Sequence, residues 1–189
     1  MTESRAAKAV LACRPMNNFR LYFALWPDDG IRLQLARYRA QFSRETEGHG
    51  VFPISLHITL AFLGEVDPLL FDEVEAVGDS VKGAAFEYVV NTAGCFAKAG
   101  VAVLGSRDAP PQLFDLQKKL QAKLAAAELG HDTRTFRPHI TVVRNVKTPF
   151  EERAISPVRW PVNAFSLIGV SKGISGPSFE VIKSWRLKG

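Results

Sequence analysis

Leu56-His57-Ile58-Thr59-Leu60-Ala61-Phe62-Leu63 and Pro138-His139-Ile140-Thr141-Val142-Val143-Arg144 carry one short phrase twice: histidine, an apolar residue, threonine, inside an apolar run. Such runs, rich in β-branched residues, read as buried strands. Side chains on a strand alternate faces, so His57 and Thr59 share one side, and so do His139 and Thr141. Two such strands laid side by side gather two imidazoles and two hydroxyls around one small space. One imidazole can serve as general base and the other as general acid, while the hydroxyls hold an anion between them. That set suits the opening of a phosphodiester, with a rate bell-shaped in pH because one histidine must be neutral and the other protonated.

The flanking sequence repeats as well. Phe19 to Trp26 reads as a strand broken by Pro27-Asp28-Asp29-Gly30, where Asp28 or Asp29 can cap a helix. That helix bears Ile31, Leu35, Tyr38 and Phe42 on one stripe, with Arg32, Arg37, Arg39 and Arg44 largely elsewhere. After a Gly48-His49-Gly50 loop comes the first motif strand, closed by Gly64. Asp67-Pro68 opens a second helix to about Lys82; Phe86 to Phe96 and Gly100 to Leu104 read as strands. Pro110-Pro111 opens a third helix, with Leu113, Leu116, Leu120 and Leu124 on its apolar face and Gly130 beyond its end. The second motif strand follows, then strands over about Asn163 to Val170 and Ser178 to Leu187.

Strand, helix and motif strand thus occur twice in the same order, over about 19–63 and 100–143. Two copies of one βα-type unit can pack about a pseudo-two-fold axis with their motifs facing. The expected fold is α+β: a bilobal body of duplicated βα units, with two antiparallel or mixed sheets flanked by helices around a central cleft. Residues 1–18 read as a loose N-terminal extension and 19–189 as a single bilobal domain.

Bulk properties bound the function. The chain has 189 residues, 47% hydrophobic and 23% charged, which suits a globular protein with a proper core. Its net charge of +5 is compatible with a nucleic-acid substrate without requiring one. Cys13 and Cys95 form no CxxC pair, which argues against a disulfide framework and a structural zinc site. A cytoplasmic location is expected. Lys8 directly precedes the short apolar stretch Ala9 to Cys13, leaving it too brief for an export signal, and no run approaches a membrane span.

These motifs resemble the 2H phosphoesterase superfamily, and within it the RNA 2′,3′-cyclic phosphodiesterases, also called 2′-5′ RNA ligases. The likeness extends over Phe19 to Leu25, Leu56 to Val66, Arg137 to Arg144 and the closing Ser184-Trp185-Arg186-Leu187. The resemblance implies metal-independent hydrolysis of a terminal 2′,3′-cyclic phosphate to a 2′-phosphate, with no cofactor. It also implies 2′-5′ joining to a 5′-hydroxyl at the same site. It casts His57 as proton donor and His139 as proton acceptor, with Thr59 and Thr141 binding the phosphate. Phe62 and Arg144, each five residues after its histidine, would hold the nucleobase. The implied partner is an RNA or oligonucleotide with a 2′,3′-cyclic phosphate end. No membrane and no obligate protein partner are expected, and a monomer is the default.

The chain departs from many relatives in two places. It lacks a tryptophan near Ala102-Val103-Leu104, and the approach Val51-Phe52-Pro53-Ile54-Ser55 lacks a polar pair. Both bear on base preference and substrate length. Competing readings are a phosphodiesterase for small nucleotides (a 2′-5′ oligoadenylate or a tRNA-splicing cyclic nucleotide) and a nucleotide-binding module without catalysis. A zinc site at His57 and His139 would need a third ligand that no spacing signals. His49 and His131 read as surface residues in loops, and Arg134 and Arg137 as solvated charges that could guide an RNA backbone.

Overall fold

The computed structural model describes residues 19–130, 135–173 and 176–189. The expected N-terminal extension, His131 and Arg134 lie outside the described residues. Strand β1 (Phe19–Leu25) leads to helix α1 (Asp29–Glu45), capped by the Asp28 carboxylate, which accepts from the Ile31 amide at 2.8 Å. Then follow β2 (His49–Gly50), β3 (Ile58–Val66), α2 (Phe71–Ser80), β4 (Phe86–Phe96) and β5 (Val101–Gly105). Helix α3 (Pro111–Ala126) precedes β6 (Ile140–Arg144), β7 (Arg153–Val162), β8 (Ala164–Gly173) and β9 (Gly176–Arg186). The expected Asp67-Pro68 helix start is divided: a 3₁₀ turn, Pro68–Leu70, precedes α2.

The strands run in the order β7-β4-β5-β6-β3-β1-β8-β9, and β2 also pairs with β6. All these pairings are antiparallel. The two motif strands are the central neighbours. One lobe is β9-β8-β1-β3 and the other β7-β4-β5-β6, with each motif strand next to the strand that begins its unit. The α+β fold and the duplication are therefore as expected. One detail differs: the lobes' sheets are joined, because Ile58 pairs with Ile140 across the seam.

Helices and sheet share one hydrophobic core. Leu21, Phe23 and Leu25 of β1 are fully buried with Leu35 and Phe42 of α1 and with Leu113, Leu116, Leu120 and Leu124 of α3. The other β1 face carries a separate cluster of Tyr22, Ala24 and Ile168, flanked by Trp26, Val170 and Phe179 and containing no helical residue. That helix-free face bears the motif side chains. The helices also exchange lobes: α1, which follows β1, lies against β6 and β7, and α3, which follows β5, lies against β3.

Three features differ from expectation. Strand β7 has no counterpart in the sequence reading because Pro157 and Pro161 interrupt its pattern; it is an edge strand, where missing amides cost nothing, and Val158, Trp160 and Val162 still point inward. His49–Gly50 is not simply loop, since it pairs with Arg144 and Val143, partners far away in sequence. Arg32, expected off the apolar stripe of α1, is nevertheless buried, at 8% exposed.

Candidate active site

Sheet register explains why residues five apart meet on one face. Strict alternation places Thr59 and Phe62 on opposite sides of β3. However, Thr59 faces Ala24 while Ala61 faces Phe23, so Leu60 is an extra residue in the ladder. This β-bulge buries Leu60 and Ala61 in succession and turns Phe62 to the open face, opposite Tyr22. The same event recurs in β6. Thr141 faces Val103 and Val143 faces Ala102, so Val142 is extra and Arg144 is turned outward. Both motif strands therefore read buried, half-buried, buried, buried, exposed from their isoleucine onward.

The histidines immediately precede these strands and are held alike. His57 Nδ1 donates to the carbonyl of Ser55 at 2.6 Å, and His139 Nδ1 to that of Arg137 at 2.7 Å. In each case the acceptor is two residues back. A carbonyl can only accept, so the proton is fixed on Nδ1 and Nε2 is left for chemistry. The Thr59 hydroxyl donates to His57 Nε2 at 3.0 Å.

Aromatic rings back both imidazoles. Tyr22 and Trp26 stack on His57 with centroids at 4.7 and 5.7 Å, while Phe96 meets His139 edge-on at 5.0 Å. Burial pulls the His57 imidazole down to about 4. The Ser55 bond opposes that shift, while charge on His139, Arg144 and Arg32 adds to it. These groups are thus close enough to act on one another. The Tyr22 hydroxyl is buried and finds no hydrogen-bond partner among the described residues, and burial pushes its ionisation well up, so it stays neutral.

Arg32 anchors the approach to His57. Its Nη1 donates to the carbonyls of Pro53, Ile54 and Leu56 at 3.2, 2.7 and 3.3 Å, and Nη2 to Pro27 at 2.8 Å. Its guanidinium also lies 4.9 Å from the Trp26 ring centroid. Arg39, two turns on, donates to Val51 and Gly50. The loop that sets His57 is therefore fixed from α1.

Each described residue expected at the site lies on or beside the central strands. Phe62 is 40% exposed, with the Arg20 guanidinium 5.7 Å from its centroid, and Arg144 is exposed. His49 is exposed, as expected, and Arg137 contributes its carbonyl. Sequence reading missed Arg32, Tyr22, Trp26 and Phe96. Tyr22 in β1 and Trp26 just past its end share a parity, but nothing local shows that this side meets His57. Among the described residues no group of three or more His, Cys, Asp or Glu could hold a metal ion.

Paired imidazoles and hydroxyls on adjoining strands of a duplicated α+β body define a two-histidine phosphoesterase. Residues 27–173 match the 2′-5′ RNA ligase superfamily, and the chain belongs to that family. It is 30% identical over 172 residues to the RNA 2′,3′-cyclic phosphodiesterase of Escherichia coli (strain K12), covering 89% of this chain and 96% of that one. Identity to the protein of the same name from Thermus thermophilus is 25% over 181 residues, covering 90% and 91%. The crystal structure of E. coli LigT complexed with 3′-AMP superposes with a TM-score of 0.82 at 26% identity, covering 92% of this chain and 100% of that one.

Proposed function

We propose that the chain is an RNA 2′,3′-cyclic phosphodiesterase that opens a terminal cyclic phosphate to a 2′-phosphate by two-histidine acid–base catalysis, without a metal or cofactor. Residues 19–189 would act as one bilobal domain, monomeric and cytoplasmic. No described helix is long and apolar enough to cross a membrane. The observation that carries the reading is the seam where Ile58 pairs with Ile140, which sets the two motifs side by side, with a matched bulge after each threonine that turns Phe62 and Arg144 outward.

His139 accepts the proton of the attacking water through Nε2. The new P–O bond forms in line with the breaking P–O3′ bond, and His57 returns a proton to the leaving O3′. Thr59 and Thr141 donate to the non-bridging oxygens, where charge accumulates. Thr59 gives up its bond to His57 Nε2 as the phosphate enters. Phe62 and the Arg144 guanidinium hold the base between flat faces, which is tolerant of base identity.

A short RNA ending in a 2′,3′-cyclic phosphate, incubated with the protein and a chelator, tests the reading. Conversion to the 2′-phosphate is expected, with loss of about 10²-fold or more in His57→Ala and in His139→Ala. No turnover by folded wild type would overturn it. A nucleoside 2′,3′-cyclic phosphate turned over as fast as the RNA would favour small nucleotides as the substrate class.

A further inference from the structure

Beyond the catalytic groups, the open face of the second lobe continues into a groove of about 350 Å³, within the range of small-ligand sites. Gly94, Phe96, Ala97, Val103, Phe150 and Glu152 are among the residues that line it. Three observations join it to the site. Val103 faces Thr141 across the β5–β6 ladder, and directly opposed residues share a face, one strand spacing or about 5 Å apart. Gly94 faces Val103 on the next strand and carries the same face outward, with Glu152 packed directly against it. Phe96, two residues from Gly94 and on the same side, has its ring against His139.

We propose that this groove binds the second nucleoside of a 2′-5′ diester, the one whose 5′ oxygen leaves on cleavage and attacks on ligation. The proposal rests on the placement of the phosphate at Thr59 and Thr141. In-line displacement puts the entering and leaving oxygens on opposite sides of phosphorus, and the groove lies on the His139 side. On cleavage the 3′-hydroxyl of the first nucleoside attacks phosphorus and passes its proton to His57 Nε2. The P–O5′ bond breaks, and the 5′ oxygen takes a proton from His139. The products are a 2′,3′-cyclic phosphate and a nucleoside with a free 5′-hydroxyl; ligation is the reverse. Phe96 offers an aromatic surface to a base, while Phe150, packed against Phe42 at 5.2 Å and covered by the Arg153 guanidinium at 4.6 Å, only walls the groove. The exposed carboxylates of Glu151 and Glu152 accept from ribose hydroxyls and amino groups but repel phosphate, so the groove suits a nucleoside and leaves any further phosphate outside.

The test compares two substrates in wild type and Ala97→Trp. Ala97 is exposed in a 3₁₀ turn, where a large side chain fills the groove without entering the core. Hydrolysis of adenosine 2′,3′-cyclic phosphate is expected to stay within about twofold, while cleavage of 2′-5′-linked ApA falls about tenfold or more, the worth of one stacked base. Adenosine added to labelled wild type is expected to shift the amide resonances of Gly94, Phe96 and Ala97. Equal loss on both substrates, loss on neither, or unmoved resonances would overturn the groove assignment. Wild type that fails to hydrolyse the cyclic phosphate would instead remove the functional reading beneath it.

Discussion

His57 has the most consequential chemistry of any single residue. Two aromatic rings and a buried setting hold its imidazole near pKa 4 in the free protein, against an ordinary 6.5. In its proposed role as proton donor, His57 must be protonated when the leaving oxygen departs, so the anionic phosphate has to raise that value on binding. Nuclear magnetic resonance titration is expected to place His57 near 4 in the free protein and higher with a nucleoside 2′-phosphate bound. A value that does not rise would give the donor role to His139. The same shift bears on stability. Between pH 6.5 and 4 the unfolded chain takes up a proton that the folded one refuses, so stability falls as pH drops through this window, by about 3 kcal/mol in full. Thermal melts across that range are expected to show the loss, and His57→Phe to flatten it.

At the scale of elements, the β3 and β6 bulges decide what the motifs can do. An HxT phrase on a regular strand presents two polar groups; the extra residue adds a third position, occupied by Phe62 in one lobe and Arg144 in the other. Removing either flat face is expected to weaken binding of an oligonucleotide by about 1–3 kcal/mol. In steady-state assays Phe62→Ala and Arg144→Ala should therefore raise KM by roughly tenfold with kcat little changed. A fall in kcat with KM untouched would place these groups in the chemical step. The bulges also mark what was legible in the sequence. Period-two alternation pairs His57 with Thr59 and His139 with Thr141, and repetition points to the duplicated α+β body. Phe62 and Arg144 come only from family likeness, because a bulge is a property of the pair of strands, and the sequence of one strand does not announce it. Arg32 is hidden for a related reason: its partners are backbone carbonyls, which no side-chain pattern records.

At the scale of the molecule, the lobes touch through few backbone pairs, yet the helices bind them together. Helix α1 leaves one lobe and lies on the other's β6 and β7; Tyr38 donates to the Ser156 carbonyl at 2.7 Å, and Glu45 pairs with Arg153. Helix α3 returns the exchange by lying on β3. Each lobe thus completes its core with a helix from the other unit, and neither has a full apolar layer alone. Such an arrangement is expected to unfold as one body. Two buried tryptophans report on it separately, Trp160 in β7 and Trp185 in β9. In Trp26→Phe/Trp185→Phe only Trp160 remains, and in Trp26→Phe/Trp160→Phe only Trp185. Denaturant titrations followed by fluorescence are expected to give a single transition in each. Adding Leu35→Ala, which empties a fully buried site on α1, should cost about 2–5 kcal/mol. The same loss is expected from either tryptophan, although α1 follows one lobe's strand and covers the other's. A loss seen by Trp160 but not by Trp185 would mean the lobes fold independently. The seam, with one motif histidine from each lobe, would then need another source of rigidity.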